Sequence, residues 1–253
     1  MKTILVKIGG KAAEQEESLA GLCAEMSSLS GEINFLLVHG GGAEVTSVSR
    51  RLGIEAVFRD GIRQTSPAEM EIVDMVLAGK VNKQLVRMLR ARGLDAVGLS
   101  GSDGGILLGR SLGEETHTGE VSRIDARLLD LLLAGGFLPV ISSSSMDETG
   151  KGLNINADMA AFGLASHIAA SALVFLSDIP GILRDGAVLP SLSGAEARSL
   201  VEAGVISGGM IPKVTASLEA LDKGVRHVII GRYEGPGSLA RLLDGAQGTR
   251  IRK

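Results

Sequence analysis

Tryptophan is absent from this chain of 253 residues, and one tyrosine and five phenylalanines are its only aromatics. Proteins that grip single-stranded nucleic acid stack bases on such rings, so little is left here to stack on. Positive charge is not in excess either. The 26 lysines and arginines are scattered and are outnumbered by 29 acids, for a net charge of −3. That balance argues against a nucleic-acid partner and for a small molecule. The single cysteine, Cys23, cannot form an internal disulfide and falls in an apolar helical stripe; a buried thiol in a reducing compartment is expected. No run reaches the roughly 18 apolar residues of a membrane span. Met1-Lys2 leads directly into a short strand without an apolar leader, so a cytoplasmic protein with no membrane partner is the expectation.

Glycine, by contrast, is abundant, with 35 residues. Two glycine clusters each close an apolar run: Ile4-Leu5-Val6-Lys7-Ile8-Gly9-Gly10 and Phe35-Leu36-Leu37-Val38-His39-Gly40-Gly41-Gly42. Gly-Gly after a strand is ordinarily a tight turn. Two such turns, each followed by a helix and the first carrying a lysine, point instead to anion binding, because glycine lets backbone N–H groups approach a ligand. Neither cluster has the spacing of a P-loop or of G-x-G-x-x-G.

Short apolar runs alternate with helical stretches along most of the chain, the pattern of a parallel sheet covered by helices. Helices are expected near 17–28 and 43–52, the second ending at Gly53, and strands at 35–39, 96–99, 137–142, 173–176 and 226–230. Ser66-Pro67-Ala68-Glu69 reads as a capping box with proline at the first helical position, opening one long helix to about Arg92. Ser193-Gly194-Ala195-Glu196 is a second capping box. The Gly- and Thr-rich stretch 101–121 suits hairpins outside the main sheet, with Gly101-Ser102-Asp103-Gly104 a turn. The polar stretch 142–152 reads as a loop, and a helix begins near Asn156.

Four later segments join the glycine clusters in a fixed order: Asp60-Gly61-Ile62-Arg63-Gln64-Thr65, Asn154-Ile155-Asn156-Ala157-Asp158, Leu176-Ser177-Asp178-Ile179-Pro180-Gly181-Ile182-Leu183 and Gly208-Gly209-Met210-Ile211-Pro212-Lys213-Val214. With K-I-G-G and H-G-G-G ahead of them, the chain resembles the amino acid kinase family from Lys7 to Gly248-Thr249-Arg250. The resemblance implies a three-layer α/β/α sandwich with a mainly parallel central sheet. Residues 1–170 would form an N-terminal lobe for an acyl amino acid and for dimerisation, and 171–253 a C-terminal lobe for ATP. It also implies ATP-dependent phosphorylation of the side-chain carboxylate of N-acetyl-L-glutamate, in arginine biosynthesis, with Mg²⁺ arriving on the nucleotide and no metal site of the protein's own.

By the same resemblance, Lys7 and Lys213 would contact the β- and γ-phosphates, and Asp158 would hold those lysines without abstracting a proton. Gly41 and Gly42 would donate backbone N–H groups to the acceptor, Arg63 would clamp its α-carboxylate and Asn154 would offer an amide. Gly9, Gly10, Asp178, Ile179, Pro180, Gly181, Ile182 and Leu183, with Val205, Ile206 and Ser207, would bind the nucleotide. The residue types suit this chemistry. An acceptor carboxylate with a pKa near ~4.3 is already ionised and needs no base, while charge building on the transferred group calls for cations.

Ala43-Glu44, Gln64 and the run Ser142–Ser145 depart from the family pattern near the acceptor pocket. They leave open a carrier-bound aminoadipate or glutamate as acceptor, and a non-catalytic amino-acid-binding regulator is the reading from another class. A dinucleotide oxidoreductase lacks its fingerprint loop here. Only Met1-Lys2-Thr3 precede the first strand, with no room for the additional helix of arginine-inhibited relatives. The expectation is therefore an arginine-insensitive homodimer, joined through Ile72, Met75, Val76 and Gly79 of the long helix.

Overall fold

The computed structural model describes residues 1–9, 15–59 and 62–253. In chain order, β1 (Lys2–Ile8), α1 (Glu16–Leu29), β2 (Ile33–His39) and α2 (Gly42–Arg51) come first, then a short antiparallel pair, β3 (Phe58–Arg59) and β4 (Ile62–Arg63). Next are α3 (Pro67–Val73), a π-helix over Asp74–Val81, α4 (Asn82–Arg90), β5 (Ala96–Ser100), β6 (Leu107–Ser111), β7 (Thr118–Ile124) and α5 (Arg127–Ala134). The strands β8 (Leu138–Ser142), β9 (Ser144–Met146) and β10 (Gly152–Ile155) lead to α6 (Ala157–His167) and β11 (Ala172–Leu176). Three short strands, β12 (Leu183–Arg184), β13 (Ala187–Val188) and β14 (Ser191–Ser193), precede α7 (Gly194–Glu202) and α8 (Met210–Asp222). The chain ends with β15 (His227–Gly231), α9 (Ser238–Asp244) and β16 (Thr249–Arg252).

The fold is mixed α/β with mainly parallel sheet strands. Its contacts cluster into two compact units, residues 1–36 with 161–253, and residues 37–160. A cut at residue 170 follows sequence order; these units do not, since β1 and α1 cluster with the C-terminal third.

In the first unit the strands run β14-β16-β15-β11-β1, parallel except for β15 against β16. Strands covered on both faces read as unbroken apolar runs rather than as alternation. Leu173, Val174, Phe175 and Leu176 of β11 are accordingly all buried. Helix α1 is fastened by Tyr233, whose hydroxyl donates to Glu25 Oε1 at 2.7 Å, while Glu25 Oε2 accepts the Leu239 N–H of α9 at 2.9 Å. Burial, with Glu25 beside it, raises the phenol's pKa and keeps it a donor. Ser193 and Glu196 form a complete capping box on α7, as expected.

In the second unit β2, β8 and β5 are parallel neighbours, and β10, β7, β6 and β9 close a separate small barrel. The hairpin stretch thus lies outside the main sheet. The polar stretch 142–152 does not stay a loop. Ser144–Met146 form β9, and Ser142 to Ser145 are all buried because they hydrogen-bond inward: Ser145 Oγ donates to Leu107 O, and Ser142 and Ser144 share a hydrogen bond.

The long helix starts at Pro67 behind an Ser66 N-cap and runs to Arg90, but its middle is wound as a π-helix. Ile72, Val73, Val76 and Leu77 turn inward to pack with Val45 and Met70. The stripe expected to join two subunits is therefore divided. Ile72 and Val76 belong to their own core, and Met75 and Gly79 are left exposed.

Replacing Tyr233 by Phe removes one hydrogen bond to a carboxylate. The variant should lose roughly 1.5–3 kcal/mol of stability in urea unfolding. An unchanged midpoint would show that the Tyr233–Glu25 contact holds nothing together.

Candidate active site

Of the residues expected to meet phosphate, Lys7 lies near the carboxyl end of β1 and Lys213 reaches Phe175 near the carboxyl end of β11, the edge where open parallel sheets bind ligands. Lys7 stands opposite Phe175 in the β1/β11 register, and Lys213 Nζ lies 5.2 Å from the centroid of the Phe175 ring. One buried aromatic thus has Lys7 opposite it on the neighbouring strand and the Lys213 ammonium over its ring. Lys213 sits in the first turn of α8, where Pro212 is tolerated and the helix end is positive. Gly9 leaves room for Lys7: a Cβ built on Gly9 would collide with Lys7 Nζ. Gly10 lies outside the described residues.

The 178–183 segment leaves β11 directly beside this edge, since Ile8 and Leu176 are in register. Asp178 is exposed, Ile179 and Pro180 are half-buried, and Leu183 opens β12. Gly181 packs against Thr249, whose hydroxyl accepts the Ile182 N–H at 2.8 Å. Val205, Ile206 and Ser207 join α7 to α8. The Ile206 side chain is committed to the core, and Val205 and Ser207 are exposed.

The residues expected to bind the acceptor, Gly41, Gly42, Arg63 and Asn154, lie in the second unit. Gly41 is the N-cap of α2, with φ at +152°, and a Cβ there would lie 2.8 Å from Leu77 Cδ2 of the π-helix. Only glycine fits. Arg63 comes to the same helix end, with Nη2 donating to Gly42 O at 3.0 Å and to Thr46 Oγ1 at 2.7 Å. Its Nη1 donates to Glu69 Oε1 at 2.6 Å, and the guanidinium carbon stands 4.7 Å over the Phe58 ring. These bonds use three of the five guanidinium donors. Asn154 Nδ2 donates to Thr65 Oγ1 at 2.9 Å, and Thr118 Oγ1 bridges Arg63 O and the Thr65 N–H. The Arg63–Thr65 segment is thereby held against β7 and β10. Asp158 opens α6, its N–H donating to Asn156 Oδ1 at 2.8 Å.

Glu69 was legible in the sequence only as the acid of a capping box. Its N–H does donate to Ser66 Oγ, yet its side chain goes to Arg63. His39 and Asn82 carried no comparable signal. His39 is fully buried, and its Nδ1 donates to Gly40 O at 2.8 Å, which leaves Nε2 to accept from Asn82 Nδ2 at 3.1 Å. Burial, reinforced by the charge of Lys83 and opposed by the bond to Gly40, lowers the imidazole pKa from 6.5 to about 4. The ring is neutral in the folded protein.

Because this folded-state pKa lies below the unfolded one, the unfolded chain binds the extra proton between pH 6.5 and pH 4. Stability contributed by neutral His39 is complete above that window and is lost as pH falls through it, by roughly 3 kcal/mol in all. Urea titrations of the wild type and His39→Asn from pH 7.5 to 4.5 should give a shallower loss for the variant. Parallel curves would contradict the assignment.

Residues 2–232 match the amino acid kinase family. Acetylglutamate kinase from Synechococcus sp. strain JA-2-3B'a(2-13) is 44% identical, over 99% of this chain and 83% of that protein. Acetylglutamate kinase from Geobacillus kaustophilus is 42% identical, over 100% of this chain and 97% of that one. Among solved structures, N-acetylglutamate synthase from Neisseria gonorrhoeae, complexed with coenzyme A and N-acetyl-glutamate, superposes with a TM-score of 0.86 at 26% identity. That match covers all of this chain and 59% of the synthase. Family match, relatives and fold agree, and this chain belongs to the amino acid kinase family.

Proposed function

We propose that the protein transfers the γ-phosphoryl group of ATP to the side-chain carboxylate of N-acetyl-L-glutamate, giving N-acetylglutamyl 5-phosphate for arginine biosynthesis. The observation that carries this reading is the 42–44% identity of the whole chain to two acetylglutamate kinases, and Lys7 in register with Phe175, whose ring Lys213 faces, supports it.

The obstacle to this transfer is charge, since one anion attacks another and charge grows on the leaving phosphate. Lys7 and Lys213 supply the positive charge that offsets it. Asp158 has an electrostatic role, because an ionised acceptor has no proton to give up. On the acceptor side, the N–H groups of Gly41 and Gly42 at the α2 N-terminus receive one carboxylate. The guanidinium hydrogens of Arg63 outside its bonds to Glu69, Gly42 and Thr46 receive the other. Gly9, Gly10, the 178–183 segment and 205–207 bind the nucleotide, Ile206 through its backbone.

Mg²⁺ enters with ATP. Such an ion is coordinated mainly by phosphates and water. When bound, it shields the phosphate charge.

Acyl phosphate trapped as a hydroxamate tests the reaction directly. N-acetyl-L-glutamate should give product with ATP and Mg²⁺, while free glutamate and aminoadipate should not; turnover of another panel member in its place would overturn the acceptor assignment. Lys7→Ala and Lys213→Ala should each lower kcat by something on the order of 10²–10³, with smaller changes in KM. Arg63→Lys keeps a charge opposite Glu69 but loses the planar fork. It should raise the acceptor KM about tenfold while leaving the KM for ATP unchanged.

A further inference from the structure

We propose that His39 and Asn82 are positioning residues that aim the Gly41 N–H at the acceptor carboxylate, an inference that rests on the acceptor role assigned to Gly41 above. The carbonyl of Gly40 and the N–H of Gly41 belong to one peptide group. In a trans peptide the two bonds point in opposite directions, so whatever holds the Gly40 oxygen also sets where the Gly41 hydrogen points. His39 Nδ1 holds that oxygen, at 2.8 Å.

A ring held at one atom can still swing, and Asn82 removes that freedom. Its two Nδ2 hydrogens are shared among His39 Nε2, Val140 O at 2.8 Å and Leu99 O at 3.2 Å. Its Oδ1 accepts from Lys83 Nζ at 3.0 Å, and Lys83 also donates to Gly98 O at 3.0 Å. These partners fix which end of the amide is nitrogen, because two carbonyls face one end and an ammonium the other. The ring at the end of β2 is thus tied through Asn82 to the neighbouring strand β8 and to β5 beyond it. Gly98 is what lets the amide in: a Cβ there would collide with Asn82 Oδ1.

The π-helix connects the two contacts. Leu77 and Val81, within it, close over Gly41, and Asn82 is the residue that follows it. π-Segments inside helices are frequent at functional sites. Here the segment packs over Gly41 and is followed directly by the amide that holds the His39 ring.

Two substitutions separate positioning from mere core filling, because asparagine carries an amide nitrogen about where Nδ1 stands and glutamine about where Nε2 stands. His39→Asn keeps a donor for Gly40 O; His39→Gln does not. Both put an amide in place of a buried ring, so a purely structural histidine would make them equally costly. Initial rates and thermal unfolding should be measured for the wild type and both variants with N-acetyl-L-glutamate and ATP·Mg. His39→Gln should raise the acceptor KM about tenfold, the worth of one hydrogen bond, with the KM for ATP unchanged. His39→Asn should stay within about threefold of wild type, and Asn82→Ser, which likewise keeps the donor to Gly40 O while losing the His39–Asn82 bond, should resemble His39→Asn. Equal acceptor KM values in the two His39 variants, or effects confined to unfolding temperature, would overturn the proposal. A wild type that phosphorylates no carboxylate acceptor would overturn the proposed function first, before any variant is compared.

Discussion

A carboxylate only 1% exposed must be compensated where it stands, and Glu69 is compensated by the Arg63 guanidinium, itself 9% exposed. Removing two charges from water costs more than their attraction returns unless further hydrogen bonds complete the site. The second unit supplies them. Gly42 O and Thr46 Oγ1 occupy another guanidinium nitrogen, and the Phe58 ring covers its face. The pair therefore ties the start of α3, the end of α2 and the Arg63 loop into one assembly. The glycine turn proposed to receive an anion is part of that assembly.

Glycine does different work at the two clusters. At Gly41 the backbone angle and the nearness of Leu77 both forbid a side chain, and the reward is an uncovered helix N-terminus. At Gly9 the missing Cβ makes space for a lysine ammonium. The same dipeptide after a strand thus serves backbone approach in one place and side-chain passage in the other. Composition does not distinguish them.

Much of the fold was legible because its signals are local. Parallel strands buried on both faces announce themselves as apolar runs, and β2, β5, β8, β11 and β15 lie within two residues of their expected bounds. Ser66 and Ser193 mark helix starts through bonds that span three residues. The failures are non-local. Four serines in a row read as a loop because serine is usually solvated or turn-forming, yet Ser145 finds its partner across the barrel, at Leu107. The π-helix was invisible because no short-range pattern encodes it; its packing against Val45 and Gly41, distant in sequence, accompanies it.

By itself the sequence determined which residues could bear charge chemistry, Lys7, Lys213, Arg63 and Asp158, and that Lys7 closes a strand and Asp158 stands at a helix start, since strand and cap signals depend on neighbours a few positions away. Only the tertiary structure decided their partners. Glu69 could cap a helix or pair with Arg63, and it pairs because the loop brings a guanidinium into a site where an acid cannot be left without a counter-charge. Lys7 and Lys213 could each have been surface charges; the β1/β11 register sets Lys7 opposite Phe175, and the packing of α8 brings the Lys213 ammonium to that ring. His39 was the last residue of an apolar run, and it became the fastening of a peptide because Asn82, 43 positions on, meets it across the sheet. Contacts of that kind are set by register and packing over the whole unit, where a buried polar group must find a partner, and no window of sequence holds both halves of the pair.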